Sequence, residues 1–231
     1  TEVLPYIGFS LFIGMLASAL PLPANRLVRD TSQVRPPLQW NRAIIWFLLS
    51  AMLLQMSAGP FYGFFVLYLK QAGYSESSAG IFVALGAMAE IVMFMFAPRL
   101  LGRYGVNTLL IVSIGMTCLR WLLVAFGVDS VLWLGFSQLL HAFTFGLTHA
   151  ASIQFVHRHF DASHRSQGQA LYASLSFGVG GALGTWICGY IWGDGSGAVW
   201  SWVFAAGCAF SAMLAVFFIP RDKPGVAAHA A

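Results

Sequence analysis

Four side chains capable of charge or proton chemistry stand deep inside apolar runs. They are Glu90 in Ala87-Met88-Ala89-Glu90-Ile91-Val92, Arg120 in Cys118-Leu119-Arg120-Trp121, and His141 and His149 within residues 138–152. A charged group at the centre of a bilayer costs about 2.5–3.5 kcal/mol on insertion scales, so such residues are candidates for function by default. A carboxyl there can take up and release a proton, an arginine can grip a carboxylate with its planar fork, and a histidine can relay protons near neutral pH. Glu90 lies eight residues from the inner end of its run, which is ~12 Å at the helical rise, and Arg120 about fourteen residues or ~21 Å from the same surface. A direct or water-bridged Glu90–Arg120 pair is within reach. The plainer readings are a fixed salt bridge between two helices and an arginine that snorkels to the outer interface.

Gln138, His141, Thr144, Thr148, His149 and Ser152 recur mostly three and four residues apart, so one face of that helix is hydrophilic and must meet protein or water. His141 falls near the depth of Arg120 and His149 near that of Glu90, so the four could line one cavity, or each histidine could simply bond a neighbouring helix. Gln55, Ser57, Tyr62 and Tyr68 surround Gly59-Pro60, a pair that breaks the helical ladder and permits a bend around a cavity. Gln169, Tyr172, Ser174 and Ser176 precede Gly178-Val179-Gly180-Gly181-Ala182-Leu183-Gly184. That run has no phosphate-loop lysine, and the Gly180…Gly184 spacing reads as close helix–helix contact.

The elements that position these residues follow from composition. Of 231 residues 58% are hydrophobic and 9% charged, and the mean hydropathy is +0.75. An ordinary soluble domain carries about 25% charged residues, so this chain is read as an all-α protein dissolved in lipid. Cys118, Cys188 and Cys208 all sit in apolar runs, with neither disulfide nor zinc spacing. Seven segments are apolar and long enough to cross about 30 Å of hydrocarbon: 3–23, 43–69, 78–98, 106–127, 132–157, 169–192 and 199–220. Arg26, Arg29, Arg35, Arg42, Arg99, Arg103, Arg158, Arg165, Arg221 and Lys223 fall on one side of these segments, and Lys70 alone on the other. The positive-inside rule then places the tail after 220 in the cytoplasm and residue 1 outside, in a multi-pass membrane protein.

The first residue is Thr, and no charged n-region or cleavage site precedes segment 3–23, so that segment is expected to be a true span. An odd span count with an outside start suggests further chain upstream. The division is then a single helix over 1–23, an arginine-rich linker over 24–42, a six-helix unit over 43–220 and a cytoplasmic tail over 221–231.

Other chemistries find little support. His157, His159 and His164 stand with Arg158 and Arg165 in a short inner loop, which reads as a basic loop near anionic lipid and not as a metal site. No nucleophile elbow or His-Glu-x-x-His string occurs, so neither an enzyme nor a cofactor is expected, and the scattered basic residues do not suggest nucleic-acid binding. A seven-helix receptor or sensor shares the orientation but would need a ligand-bearing lysine, and Lys70 stands at a span edge. In a metal hydrolase built on His141 and His149, an ideal helix would set the two about 80° apart, wider than a shared zinc allows.

Several strings together resemble a known family: Phe61-Tyr62-Gly63-Phe64-Phe65-Val66-Leu67-Tyr68-Leu69-Lys70-Gln71-Ala72-Gly73-Tyr74-Ser75, Ala89-Glu90-Ile91, Arg120-Trp121, Gln138-Leu139-Leu140-His141-Ala142-Phe143-Thr144-Phe145-Gly146 with His149, and Gln169-Ala170-Leu171-Tyr172. The chain is similar, from about residue 40 to 220, to the 3-phenylpropionate permease-like family of the major facilitator superfamily. The resemblance implies the second six-helix half of a twelve-helix transporter, with 3–23 as its sixth helix and an N-terminal six-helix half as partner. It implies proton-coupled, alternating-access symport of small aromatic acids; nucleoside and oligosaccharide symporters belong to the same branch. Arg120, Gln138, His141, Tyr62, Gln55, Gln169 and Tyr172 become the expected substrate contacts, and Glu90, His141 and His149 the expected proton-coupling groups. The layout also resembles that of the lactose permease group, but the second carboxylate of its tenth helix has no counterpart in 132–157, so Glu90 and a histidine would have to serve. Residues Pro98-Arg99-Leu100-Leu101-Gly102-Arg103-Tyr104-Gly105 resemble the superfamily's inner gate loop, with Arg99 and Arg103 as its basic pair and Gly102 where an acid would stand.

Overall fold

In hydrocarbon every backbone N–H and C=O must be satisfied within the protein, and runs of 20 to 30 apolar residues meet that demand here by forming helices. The computed structural model describes residues 38–220. Six helices in it are long and apolar enough to cross a membrane: α1 (Arg42–Gln71), α2 (Glu76–Tyr104), α3 (Val106–Gly127), α4 (Val131–His159), α5 (Arg165–Trp192) and α6 (Ala198–Phe217). They correspond to the six spans expected over 43–220, and no strand occurs among the described residues. The expected span 3–23, most of the linker 24–42 and the tail 221–231 lie outside the described residues.

Local chemistry sets most helix ends. Asn41 Oδ1 accepts the Ile44 N–H at 2.9 Å and opens α1, while Ser75 Oγ accepts the Ser78 N–H at 3.1 Å and opens α2. Gly105, at φ +77°, separates α2 from α3, a backbone conformation that favours a residue without Cβ. Between α5 and α6 the Ser196 N–H donates to Asp194 Oδ1 at 3.1 Å, which stabilises the carboxylate and holds its pKa below the ordinary value. Gly59-Pro60 acts as expected. The α1 ladder breaks at Ala58 between Arg42–Ser57 and Gly59–Gln71, with Pro60 in the first turn of the second piece, where its missing N–H costs least.

Two expectations need correction. Pro98 does not end its helix: α2 runs through it to Tyr104, so Arg99 and Arg103 stand on the last turns of a helix and not in a loop. The residues after Pro98 include Leu100 and Leu101, which pack against the core, and that packing keeps the segment helical despite the lost ladder bond. Arg103 lies over the Tyr104 ring at 5.3 Å. Nor is the polar span a uniform α-helix. It consists of Val131–Leu139, a π-helical turn at Ala142–Leu147 and Thr148–His159, and α5 carries a second π turn at Ser174–Gly180.

The helices pack with α6 against α3 and α1, α1 against α5, and α4 against α2 and α3. Apolar residues form two separate cores. One gathers Ile44, Phe47, Leu109, Ile114, Phe155 and Val216 toward one end of the bundle, and the other Phe65, Leu69, Trp121, Val124, Leu134 and Trp202 toward the opposite end. Between them lies a layer of buried polar residues, including Ser57, Ser113, Thr117, Arg120, Ser137 and Gln138. Lipid is as apolar as leucine, so close approach of small residues does much of the binding between helices. Ala205, Ala209 and Ala212 of α6 are wholly buried, and Ser50 Oγ of α1 donates to the Ala212 carbonyl at 2.8 Å.

The glycines of α5 make its contact with α1. A Cβ added at Gly180 would collide with the Met52 carbonyl, one at Gly184 with the Met56 carbonyl, and one at Gly59 with the Gly184 backbone. Gly184→Ala is expected to destabilise the bundle by ~1–3 kcal/mol, read as a lowered thermal midpoint in detergent. Gly207→Ala, where a Cβ meets nothing within 4 Å, should leave it unchanged.

Candidate functional site

The polar layer is organised around Arg120, which α3 delivers to the interior with no exposed surface. It does not snorkel. Its guanidinium lies 4.5 Å from the ring centroids of Phe61 and Trp121, and these aromatic faces offset part of the desolvation of the charge. Trp121 is fixed in turn by its Nε1–H, which donates to Ser57 Oγ of α1 at 3.1 Å.

Arginine has five N–H donors and no acceptor, so every contact it makes dictates the chemistry of its partner. Arg120 Nη2 donates to Gln138 Oε1 at 3.2 Å, and Gln138 is itself held by a 2.9 Å bond from its Nε2 to Ser137 Oγ. Arg120 Nη1 stands 2.9 Å from His141 Nδ1. Because the arginine can only donate, that nitrogen must be the acceptor, and the ring proton resides on Nε2. His141 Nε2 is 3.3 Å from Glu90 Oε2, so the imidazole donates to the carboxylate of α2. Glu90 and Arg120 are therefore joined through His141, with no direct ion pair between them. Their side chains differ in access: Arg120 is sealed, whereas Glu90 keeps about a fifth of its surface. Arg120 Nε has no hydrogen-bond partner.

Two compartments open beside this relay and meet at Leu54, Gln55, Thr144 and Phe145. The first lies between α1, α3 and α4, where Arg120, His141, Phe61, Tyr62 and Gln55 line it. Gln55 and Tyr62 stand on either side of the break in α1. The second lies between α1, α4 and α5, with His149, Tyr172, Phe177, Thr148 and Ser176 in its wall. Here His149 Nδ1 is 3.3 Å from the Tyr172 hydroxyl.

The four residues that open the sequence argument are thus divided. Arg120 and His141 line one compartment, His149 lines the other, and Glu90 backs His141 from α2 without lining either. Gln138 supports Arg120 from behind. Gln169 lies near the N-terminus of α5, where its Nε2 is 3.4 Å from His157 Nε2, and it lines neither compartment. Arg99 and Arg103 stand at the C-terminal end of α2. Among the described residues no cluster of His, Cys, Asp and Glu could hold a metal ion.

Residue types alone do not single out Phe61, Phe145 and Phe177 as lining residues. The four-residue steps His141, Phe145, His149 carry a signal, because the π turn between them takes up the angle that separates such residues on an ideal helix. Their rings form a row, with centroids 6.2 Å apart from His141 to Phe145 and 5.4 Å from Phe145 to His149.

With this geometry in place, the chain compares with known proteins as follows. It is 29% identical over 179 residues to the probable 3-phenylpropionic acid transporter of Escherichia coli (strain K12), which covers 77% of this chain and 45% of the relative. It is 28% identical over 131 residues to the maltose permease of Geobacillus stearothermophilus, 56% of this chain and 32% of that one. It is 26% identical over 145 residues to the xanthosine permease of Escherichia coli (strain K12), 60% of this chain and 34% of that one. The chain spans less than half the length of each of these relatives. The crystal structure of the nucleoside transporter NupG shares its fold, with a TM-score of 0.68 and 19% identity over 78% of this chain and 48% of that one. A family model described as the MFS_1 like family matches residues 1–204, and the chain belongs to that family of major facilitator transporters.

Proposed function

We propose that this chain is the second half of a proton-coupled symporter that carries small aromatic acids across a bacterial inner membrane by alternating access. Residue 1 faces the periplasm, the C-terminus the cytoplasm, and an N-terminal six-helix half completes the cavity. The observation that carries the reading is a sealed arginine with an unpartnered Nε–H and no carboxylate in contact, tied through one imidazole to a carboxyl that keeps access.

Charge balance in a low-dielectric layer supplies the mechanism. With Arg120 cationic, His141 neutral and Glu90 anionic, the empty site has no net charge. A substrate carboxylate that binds Arg120 brings the site to −1, and a proton on Glu90 restores neutrality. A proton without substrate would leave +1. Charged cores are costly to carry through a bundle whose neighbours are apolar, so the empty and doubly loaded forms reorient and the half-loaded forms do not. His141 keeps its single proton on Nε2 throughout and transmits the arginine's field to Glu90. The proton itself travels on the carboxyl. Names among the relatives, maltose permease and xanthosine permease, favour a second reading in which the substrate is neutral and polar and Glu90 alone sets the coupling.

Addition of 3-phenylpropionate to de-energised vesicles containing the full-length transporter should make the outer medium alkaline. Glu90→Gln keeps an acceptor for His141 but holds no exchangeable proton; alkalinisation and uphill accumulation should vanish while counterflow exchange persists. Full accumulation by this variant would end the assignment. Arg120→Lys loses the bidentate fork and should weaken acid binding by roughly tenfold or more in calorimetry, whereas unchanged binding would take Arg120 out of the site. His141→Ala removes both links of the relay, and a fall of ~1.5–3 kcal/mol in stability is expected together with loss of coupling. A coupled, fully stable His141→Ala protein would contradict the relay.

A further inference from the structure

The two compartments differ in what they offer a ligand. The residues that line the one between α1, α4 and α5 include no Lys, Arg, Asp or Glu, so a charged group placed there would find no counter-charge. Four rings stand together in its wall. Phe145 and His149 lie nearly parallel, with planes 7° apart, and form a floor. Phe177 stands over them at 57° to Phe145 and 61° to His149, with centroids 6.1 and 6.4 Å away, and Tyr172 closes the side at 80° to Phe177. These rings touch one another and enclose only about 20 Å³, so what they offer a ligand is the open side of a corner. Phe177 keeps 37% of its surface exposed although it belongs to this wall.

Three hydroxyls of the wall are already satisfied. Thr144 Oγ1 donates to the Leu140 carbonyl at 3.2 Å, Thr148 Oγ1 to the Phe143 carbonyl at 2.8 Å, and Ser176 Oγ to the Tyr172 carbonyl. To cover them with an apolar group therefore strands no donor, and strandedness is the main penalty when polar groups are buried. Phe145 and Phe177 both stand on π turns, which place them toward the same space from two different helices.

We propose that this corner is the ring subsite of the carried acid: a planar aromatic ring stacks against Phe145 and His149 with Phe177 across its edge. Its carboxylate points toward Arg120 past Gln55 and Phe145, and meets the guanidinium once the side chains that seal it in this structure move aside. Phe177 then selects aromatic over saturated rings, separately from the selection of acids over neutral analogues by Arg120. This inference rests on the transport reading above.

The test uses the full-length transporter and three ligands of similar length: 3-phenylpropionate, 3-cyclohexylpropionate and 3-phenylpropanamide, with dissociation constants from calorimetry. Wild type is expected to prefer the phenyl over the cyclohexyl acid by roughly three- to tenfold, the scale of an aromatic contact, and the acid over the amide. In Phe177→Leu the first preference should fall to near unity while the second stays. Should Phe177→Leu not fold, Phe177→Met retains a flexible apolar side chain and makes the same comparison. A phenyl preference that is absent in wild type, or intact in the variant, overturns the ring subsite and leaves the Arg120 reading standing. Loss of the acid preference in wild type, with the phenyl preference kept, overturns the carboxylate assignment and supports the ring subsite. Binding of neither acid overturns both.

Discussion

A guanidinium with no exposed surface in a lipid-dissolved bundle is the constraint on which the rest of this site depends. Such a charge must be bonded, and most of the polar layer is organised by that need. Ser57 fixes Trp121 so that its ring lies against the cation, Ser137 fixes Gln138 so that its carbonyl oxygen faces the cation, and His141 is confined to one tautomer because an arginine can only donate. The two apolar cores on either side hold this layer at mid-depth. They do not stabilise it chemically; they deny it water, which is what gives each remaining polar contact its strength.

The six spans over 43–220, the break beside Gly59-Pro60 and the ionisable residues inside apolar runs were legible in the sequence because each rests on one-dimensional information: hydropathy, a missing N–H, a charge in an apolar run. The relay was only half legible. Spacing put Glu90, Arg120 and His141 within reach of one another, but which of them stands in the middle depends on helix rotation, and the sequence does not carry the rotation of α2 against α4. Pro98 misled because a proline reports a local penalty, whereas Leu100 and Leu101 beyond it report a tertiary gain. The division of His141 and His149 between two compartments was hidden in the same way. The π turn that aligns their rings has no residue signature of its own.

Packing in this bundle is achieved with small residues more than with large ones. Gly59, Gly180 and Gly184 let α1 and α5 meet backbone to backbone, and α6 presents buried alanines to its neighbours. Such contacts have shallow wells individually, since lipid competes for the same surfaces. Close backbone contact of this kind leaves little room for a larger side chain anywhere along the seam between α1 and α5.

The π turn in α4 also bears on how this helix can be matched to others. A stretch that closes i→i+5 bonds inside an α-helix accommodates one residue more than the helix needs. Relatives that lack the extra residue should be one position shorter between Gln138 and Thr148, with everything on the N-terminal side of the gap turned by about 100° relative to this chain. In them the counterpart of His141 would face a different neighbour, so a histidine matched by column in an alignment need not be matched in role.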